Sequence, residues 1–172
     1  RKKSPYYIIE GLRCCQEALQ RLPASNIHTI IVAEKSDSNQ YPINNKYIVS
    51  EKEIDDLSQT QNSQGILILA YKKNFDNPKF DDDFILVLDR IQDPGNIGTI
   101  LRTAIAVGLK EIVLVNGTVD PFNPKAIRAG MGAQFSLTFS YIENLKELQN
   151  ISKLKNYQIW LTTPHDGLSC YD

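Results

Sequence analysis

Apolar positions recur at helical spacing near the start of the chain. Leu12, Cys15, Ala18, Leu19 and Leu22 share one face, and Pro23 predicts the exit of that helix. Ile27 to Ala33 is a β-branched run suited to a buried strand, and the polar stretch Glu34 to Asn45 reads as a loop. Lys46 to Val49 predicts a short strand. Ser50-Glu51-Lys52-Glu53 then has the form in which a serine hydroxyl and a glutamate carboxylate satisfy free amides at a helix start, with the helix running through Leu57. Gly65 to Tyr71 closes this half as a strand. Ser4 to Tyr71 therefore reads as one small α/β unit.

Lys72 to Asp83 is polar, contains Pro78 and ends in three adjacent aspartates that repel one another inside a packed element, which makes it a linker. Beyond it strand and helix alternate. Phe84 to Leu88 predicts a strand; Ile97, Ile100, Leu101 and Ala104 share a helical face ended by Gly108; Ile112 to Val115 is a strand again. Pro124 after Asn123 starts a short helix, Leu137 to Phe139 predicts a strand, Leu145 to Leu154 a helix and Tyr157 to Thr162 a strand. Such alternation favours a mainly parallel sheet with its binding site beyond the carboxyl ends of the strands. The expected domains are 1–72, a linker at 73–83, and 84–172.

Composition narrows the class. With 42% hydrophobic and 23% charged residues the chain is globular, not disordered or fibrous. It contains no apolar run long enough for a membrane span, and the basic start at Arg1 leads into no signal-peptide core, so a cytoplasmic protein is expected. Cys14, Cys15 and Cys170 have no metal-ligand spacing, and His28 and His165 stand apart from any cysteine or carboxylate cluster; no metal is expected. A net charge of -1 argues against general affinity for nucleic acid, so an RNA partner must be met by locally clustered charge.

The segment with most chemical content is Leu88-Asp89-Arg90-Ile91-Gln92-Asp93-Pro94-Gly95-Asn96-Ile97-Gly98-Thr99-Ile100-Leu101-Arg102. A buried strand feeds a Pro94-Gly95 turn, Asn96 is placed to cap the next helix, and Arg102 follows less than two turns later, so the amide and the guanidinium are expected side by side near the strand's carboxyl end. Singly, Asn96 is a helix cap and Arg102 a solvated helix arginine. The combined spacing D-P-G-N-I-G-x-I-L-R is more specific.

That segment resembles motif 1 of the SpoU, or TrmH-like, branch of the SPOUT RNA methyltransferases, and the resemblance runs from Ile85 to about Phe139 through Asp120-Pro121-Phe122-Asn123-Pro124 and Ile127-Arg128-Ala129-Gly130. Ile9-Glu10-Gly11-Leu12-Arg13 and Glu17-Ala18-Leu19 are similar to the opening of the small ribosomal-protein-like RNA-binding domain that often precedes it. The resemblance implies an α/β fold: a SPOUT-type knotted parallel-sheet catalytic domain preceded by that α/β domain. Two later loops of the family, which form the knot and most of the cofactor pocket, are not among the 172 residues, so the catalytic domain is expected to be incomplete at its C-terminus.

The resemblance also implies methyl transfer from S-adenosylmethionine to a ribose 2'-hydroxyl of rRNA or tRNA, with Arg102 as the principal catalytic residue and Asn96 orienting the site. A guanidinium is a poor base and a good bidentate phosphate ligand, so Arg102 is expected to clamp a phosphate and stabilise the developing alkoxide. Arg128, Glu10 and Arg13 are candidate RNA contacts, with salt bridging as the other reading of Arg128 and a solvated charged surface as the other reading of Glu10 and Arg13. Thr162 and Thr163 either border the adenosine site or are ordinary strand-end residues. Where the family usually has a serine, this chain has Gly130. A homodimer is implied for the full-length protein.

Three alternatives compete. An RNA-binding module without catalytic activity would bind RNA but not S-adenosylmethionine. A dinucleotide-binding oxidoreductase would need G-x-G-x-x-G where the chain has D-P-G-N-I-G. A nucleophilic hydrolase would need a G-x-S-x-G elbow that is absent.

Overall fold

Alternating half-buried and buried side chains carry Tyr6–Glu10 into a strand, β1, and the amphipathic Leu12–Arg21 follows as helix α1, whose Cys14, Cys15 and Ala18 face the core. A single 3₁₀ turn leads into β2 (Ile27–Ala33); then come β3 (Lys46–Val49), α2 (Glu51–Leu57) and β4 (Ile66–Tyr71). The computed structural model describes residues 4–36, 41, 45–60, 63–72, 75 and 77–162. The capping box forms as the spacing predicts: Glu53 N donates to Ser50 Oγ at 3.3 Å, and Ser50 N to Glu53 Oε2 at 2.8 Å.

These strands make a sheet of order β1-β4-β2-β3, antiparallel except for the parallel β2/β3 pair. Strand β1 is an addition to the sequence reading, which assigned none there. It occupies the sheet edge.

The second half contains β5 (Leu86–Leu88), α3 (Pro94–Ala106), β6 (Glu111–Val115), α4 (Pro124–Gly130), β7 (Thr138–Ile142) and α5 (Leu145–Lys155). Its sheet is β5-β6-β7, parallel throughout. β5 is shorter than the expected Phe84 to Leu88 because Phe84 is 65% exposed and outside the ladder. The expected strand Tyr157 to Thr162 does not form. Ile159, Trp160 and Leu161 are exposed and pair with no strand among the described residues, and a strand without a ladder partner leaves its backbone donors unmet.

The junction between the halves is packed. Ile127 and Phe135 of the second half lie in the core formed by α1, β1, β2 and β4, and Tyr7 meets Phe122 at a ring-centroid distance of 4.8 Å. Burial of one such side chain contributes roughly 1.5–3 kcal/mol, so these apolar contacts outweigh any single polar link across the junction.

The described part of the expected linker is a strap, not a free spacer. Phe80 is buried against Val113, Val115, Ile142 and Leu148, Lys79 N donates to Glu111 Oε1 at 3.1 Å, and the Tyr157 hydroxyl lies against the carbonyls of Phe80 and Asp82. A single large ring in the polar stretch is enough to anchor it.

Candidate active site

Helix α3 begins one turn earlier than the sequence reading placed it. Pro94 occupies its first position, where a missing N–H costs nothing, so the cap falls on Asp93, whose Oδ1 accepts from Asn96 N at 2.8 Å. Asn96 is thus not the cap; it is an exposed side chain in the first turn. That amide donation, with Lys125 Nζ at 3.4 Å, holds the Asp93 carboxyl below its ordinary value. An aspartate directly before a proline was the available signal, and the sequence reading missed it.

Ile97, Gly98, Leu101 and Ala104 bury one face of α3, while Asn96, Thr99, Arg102 and Thr103 are exposed. Six residues at about 100° and 1.5 Å each set Asn96 and Arg102 about 120° apart around the helix and about 9 Å along it. They therefore stand at opposite edges of one exposed strip and do not meet side by side.

Arg102 is on the edge nearer α4. Its Nη1 donates to Met131 Sδ at 3.7 Å, and no carboxylate pairs with it among the described residues. Met131 caps α4 in the left-handed region, φ 51°. The thioether steadies the guanidinium without neutralising it. Other cations on this rim are already paired: Arg90 with Asp89 at 2.8 Å and Lys125 with Asp93.

α3 and α4 pack closely because of Gly98. A Cβ there would lie 2.5 Å from Ala126 O and 2.7 Å from Gly130 N. Gly130 is buried too, and the space a side chain would need holds the amide of Gln134, whose Nε2 donates to the carbonyls of Pro121 (3.1 Å) and Ala126 (2.8 Å). Gln134 Oε1 is buried without a hydrogen-bond partner among the described residues. The glycine at position 130 and the buried amide are thus complementary.

Arg128 and Glu10 come together. Arg128 Nη1 is 3.6 Å from Glu10 Oε2, and the Glu10 carboxylate also accepts from Gln59 N (3.2 Å) and Ser58 Oγ (3.2 Å). Glu10 is 1% exposed, so as an RNA contact it is corrected: a sealed carboxylate with three partners has no face for a ligand. Arg13 is exposed on α1. The Cys14 thiol is pushed up by burial, against an opposing pull from both Arg128 and Arg13.

Two clefts among the described residues bear on the site. One of about 170 Å³, lined by Lys110, Glu111, Thr138 and Ser140, lies at the amino ends of β6 and β7, away from the edge where parallel sheets bind ligands. The other, about 340 Å³, lies between β1 and the Asp120–Pro124 segment. Thr162 is exposed and lines neither; Thr163 lies outside the described residues. Among the described residues no cluster of His, Cys, Asp and Glu is arranged to hold a metal ion, and no helix is long and apolar enough to cross a membrane.

Residues 83–172 match the SpoU rRNA Methylase family model, and residues 8–75 match the model for RNA 2'-O ribose methyltransferase substrate binding. The 23S rRNA (guanosine(2553)-2'-O)-methyltransferase RlmP of Bacillus subtilis is 31% identical over 157 residues, covering 85% of this chain and 60% of that protein. Among solved structures, an RNA 2'-O ribose methyltransferase superposes with a TM-score of 0.75 at 29% identity, covering 96% of this chain and 66% of the other. The AdoMet-bound rRNA methyltransferase of Sinorhizobium meliloti gives 0.69 at 26% identity, covering 87% and 59%. The chain spans about three fifths of the length of the curated relatives it matches over most of its own length.

Proposed function

The chain belongs to the SpoU rRNA methylase family, and on that premise we propose that it serves in S-adenosylmethionine-dependent methyl transfer to a ribose 2'-hydroxyl of ribosomal or transfer RNA. Residues 1–72 form the RNA-binding unit and 84–172 belong to the catalytic unit. One observation carries the reading: Arg102 is an exposed guanidinium on the helix that follows β5, held by a neutral sulfur and paired with no carboxylate among the described residues.

Guanidinium groups keep their proton in proteins and present a planar fork of donors. Arg102 therefore acts as a clamp on an RNA phosphate and stabilises charge as the ribose oxygen loses its proton. Asn96, across the exposed strip, supplies an amide that orients the ribose, and the exposed Arg13 adds positive charge on α1, while Arg128 is paired with Glu10. Thr162, one of the two threonines that either border the adenosine site or are ordinary strand-end residues, is exposed. The described residues act on the RNA side of the reaction, chiefly by alignment. The working form of the full-length protein is a cytoplasmic homodimer on this reading.

The test is incubation of the full-length protein with methyl-labelled S-adenosylmethionine and unmodified ribosomal or transfer RNA. Label should appear in dinucleotides that resist alkali, because alkaline cleavage needs a free 2'-hydroxyl. Label confined to bases, or none, contradicts the proposal.

A further inference from the structure

Three rings from three strands gather on the first sheet. Tyr6 of β1 is directly opposite Tyr71 of β4, with ring centroids 5.2 Å apart. In β2 the register passes from Ile27–Ala70 to Thr29–Leu69, leaving His28 as the extra residue of a bulge. Its ring stacks on Tyr6 at 4.4 Å and 20°, and its Nδ1 is 3.0 Å from the Tyr71 hydroxyl. Bulges re-aim side chains, and here the bulge completes an aromatic cluster that the core does not need. The cluster is only partly covered; Tyr71 is 41% exposed.

Tyr6 also lines the 340 Å³ cleft, with Leu69 and Lys72 beside it and Phe122 and Asn123 opposite. Asp120, in the same wall, is engaged by its own loop, accepting from Phe122 N at 2.9 Å. The cleft ends at Pro124, next to Lys125, whose Nζ touches the Asp93 cap of α3. The Pro124 wall of the cleft thus adjoins the Lys125–Asp93 contact at the start of α3.

We propose that this cleft holds one unpaired RNA nucleotide flanking the methylated one, its base stacked on Tyr6, whose ring His28 and Tyr71 brace from outside the cleft lining, and its phosphate met by Lys72. The inference rests on the RNA reading given above and adds a second subsite to it. The volume is at the lower end of small-molecule sites, enough for a single base. Aromatic rings give sequence-tolerant stacking to single-stranded bases, whereas a duplex hides its ring faces. The ligand is therefore unpaired RNA.

The test is a titration of the chain into single-stranded oligoribonucleotides carrying 2-aminopurine, whose fluorescence falls on stacking, with the same sequence as a duplex for comparison. The native chain should quench the single strand, Tyr6→Phe should preserve the quench, and Tyr6→Leu should abolish it and weaken binding about tenfold. Lys72→Glu, an exposed change that leaves folding intact, should weaken binding and reduce its salt slope by about one. Preference for the duplex, or an equal quench by Tyr6→Leu, overturns the stacking site while leaving the methyl-transfer proposal standing. A chain that binds no RNA at all overturns both.

Discussion

Arg128 Nη1 lies 3.6 Å from Oε2 of the buried Glu10, tying the last turn of α4 to the end of β1 across the junction of the two sheets. The distance is that of an ion pair and too long for a hydrogen bond. Glu10 has two further donors, Ser58 and Gln59, so the carboxylate matters more than the guanidinium.

Glu10→Ala should cost about 2–4 kcal/mol, since it strands a buried donor and an arginine at once. Arg128→Ala should cost about 1 kcal/mol. Urea denaturation of both variants checks the order. A larger loss for Arg128→Ala would mean that the pair, not the Ser58 and Gln59 bonds, holds the junction.

Gly98→Ala places a methyl group within 2.7 Å of α4 backbone. Backbone cannot step aside as a flexible side chain can, so stability should fall by about 2–3 kcal/mol. Thermal melting reads this directly, and an unchanged midpoint would contradict the close approach of α3 and α4.

Gly130 and Gln134 should behave as a coupled pair. Gly130→Ser and Gln134→Ala should each destabilise by about 1–3 kcal/mol, the first by crowding the amide and the second by stranding two carbonyls. Because removing the amide makes room for the serine, the double variant should lose less than the sum. Strict additivity would sink this account of the glycine.

The Asp93 carboxyl is held below its ordinary value first by the Asn96 amide, with a contribution from Lys125. A depressed folded-state value means that its stabilisation is complete above the unfolded value, near pH ~3.9, and is lost as pH falls through the folded value. Asp93→Asn keeps a cap but cannot titrate. Between pH 5 and pH 2 the native chain should therefore lose more stability than Asp93→Asn, read by denaturant midpoints across that range; parallel curves would contradict the cap's role.

Much of this is legible in the sequence. The heptad-like spacing around α1, the Ser50–Glu53 capping box and the apolar run of β4 are local signals, and each element forms within a residue or two of its expected span. What escaped depends on partners distant in sequence. Ile159-Trp160-Leu161 has strand composition but joins no ladder among the described residues, and Tyr6–Glu10 has few residues but gains β4 as a neighbour. Glu10 looked like a surface charge and is sealed by Ser58, Gln59 and Arg128, 48 or more positions away. In the site, the strand-loop-helix placement of Asn96 and Arg102 was readable from spacing. Their separation across the helix followed only once Asp93 was seen to be the cap.

The central claim is that Arg102 acts on the RNA from α3. Single-turnover methyl transfer by the full-length protein and by Arg102→Ala, with Arg102→Lys as the charge-preserving comparison, tests it most directly. A drop of about a hundredfold or more for Arg102→Ala, with partial recovery in Arg102→Lys, is the expected result. Equal rates for the native protein and Arg102→Ala would contradict it.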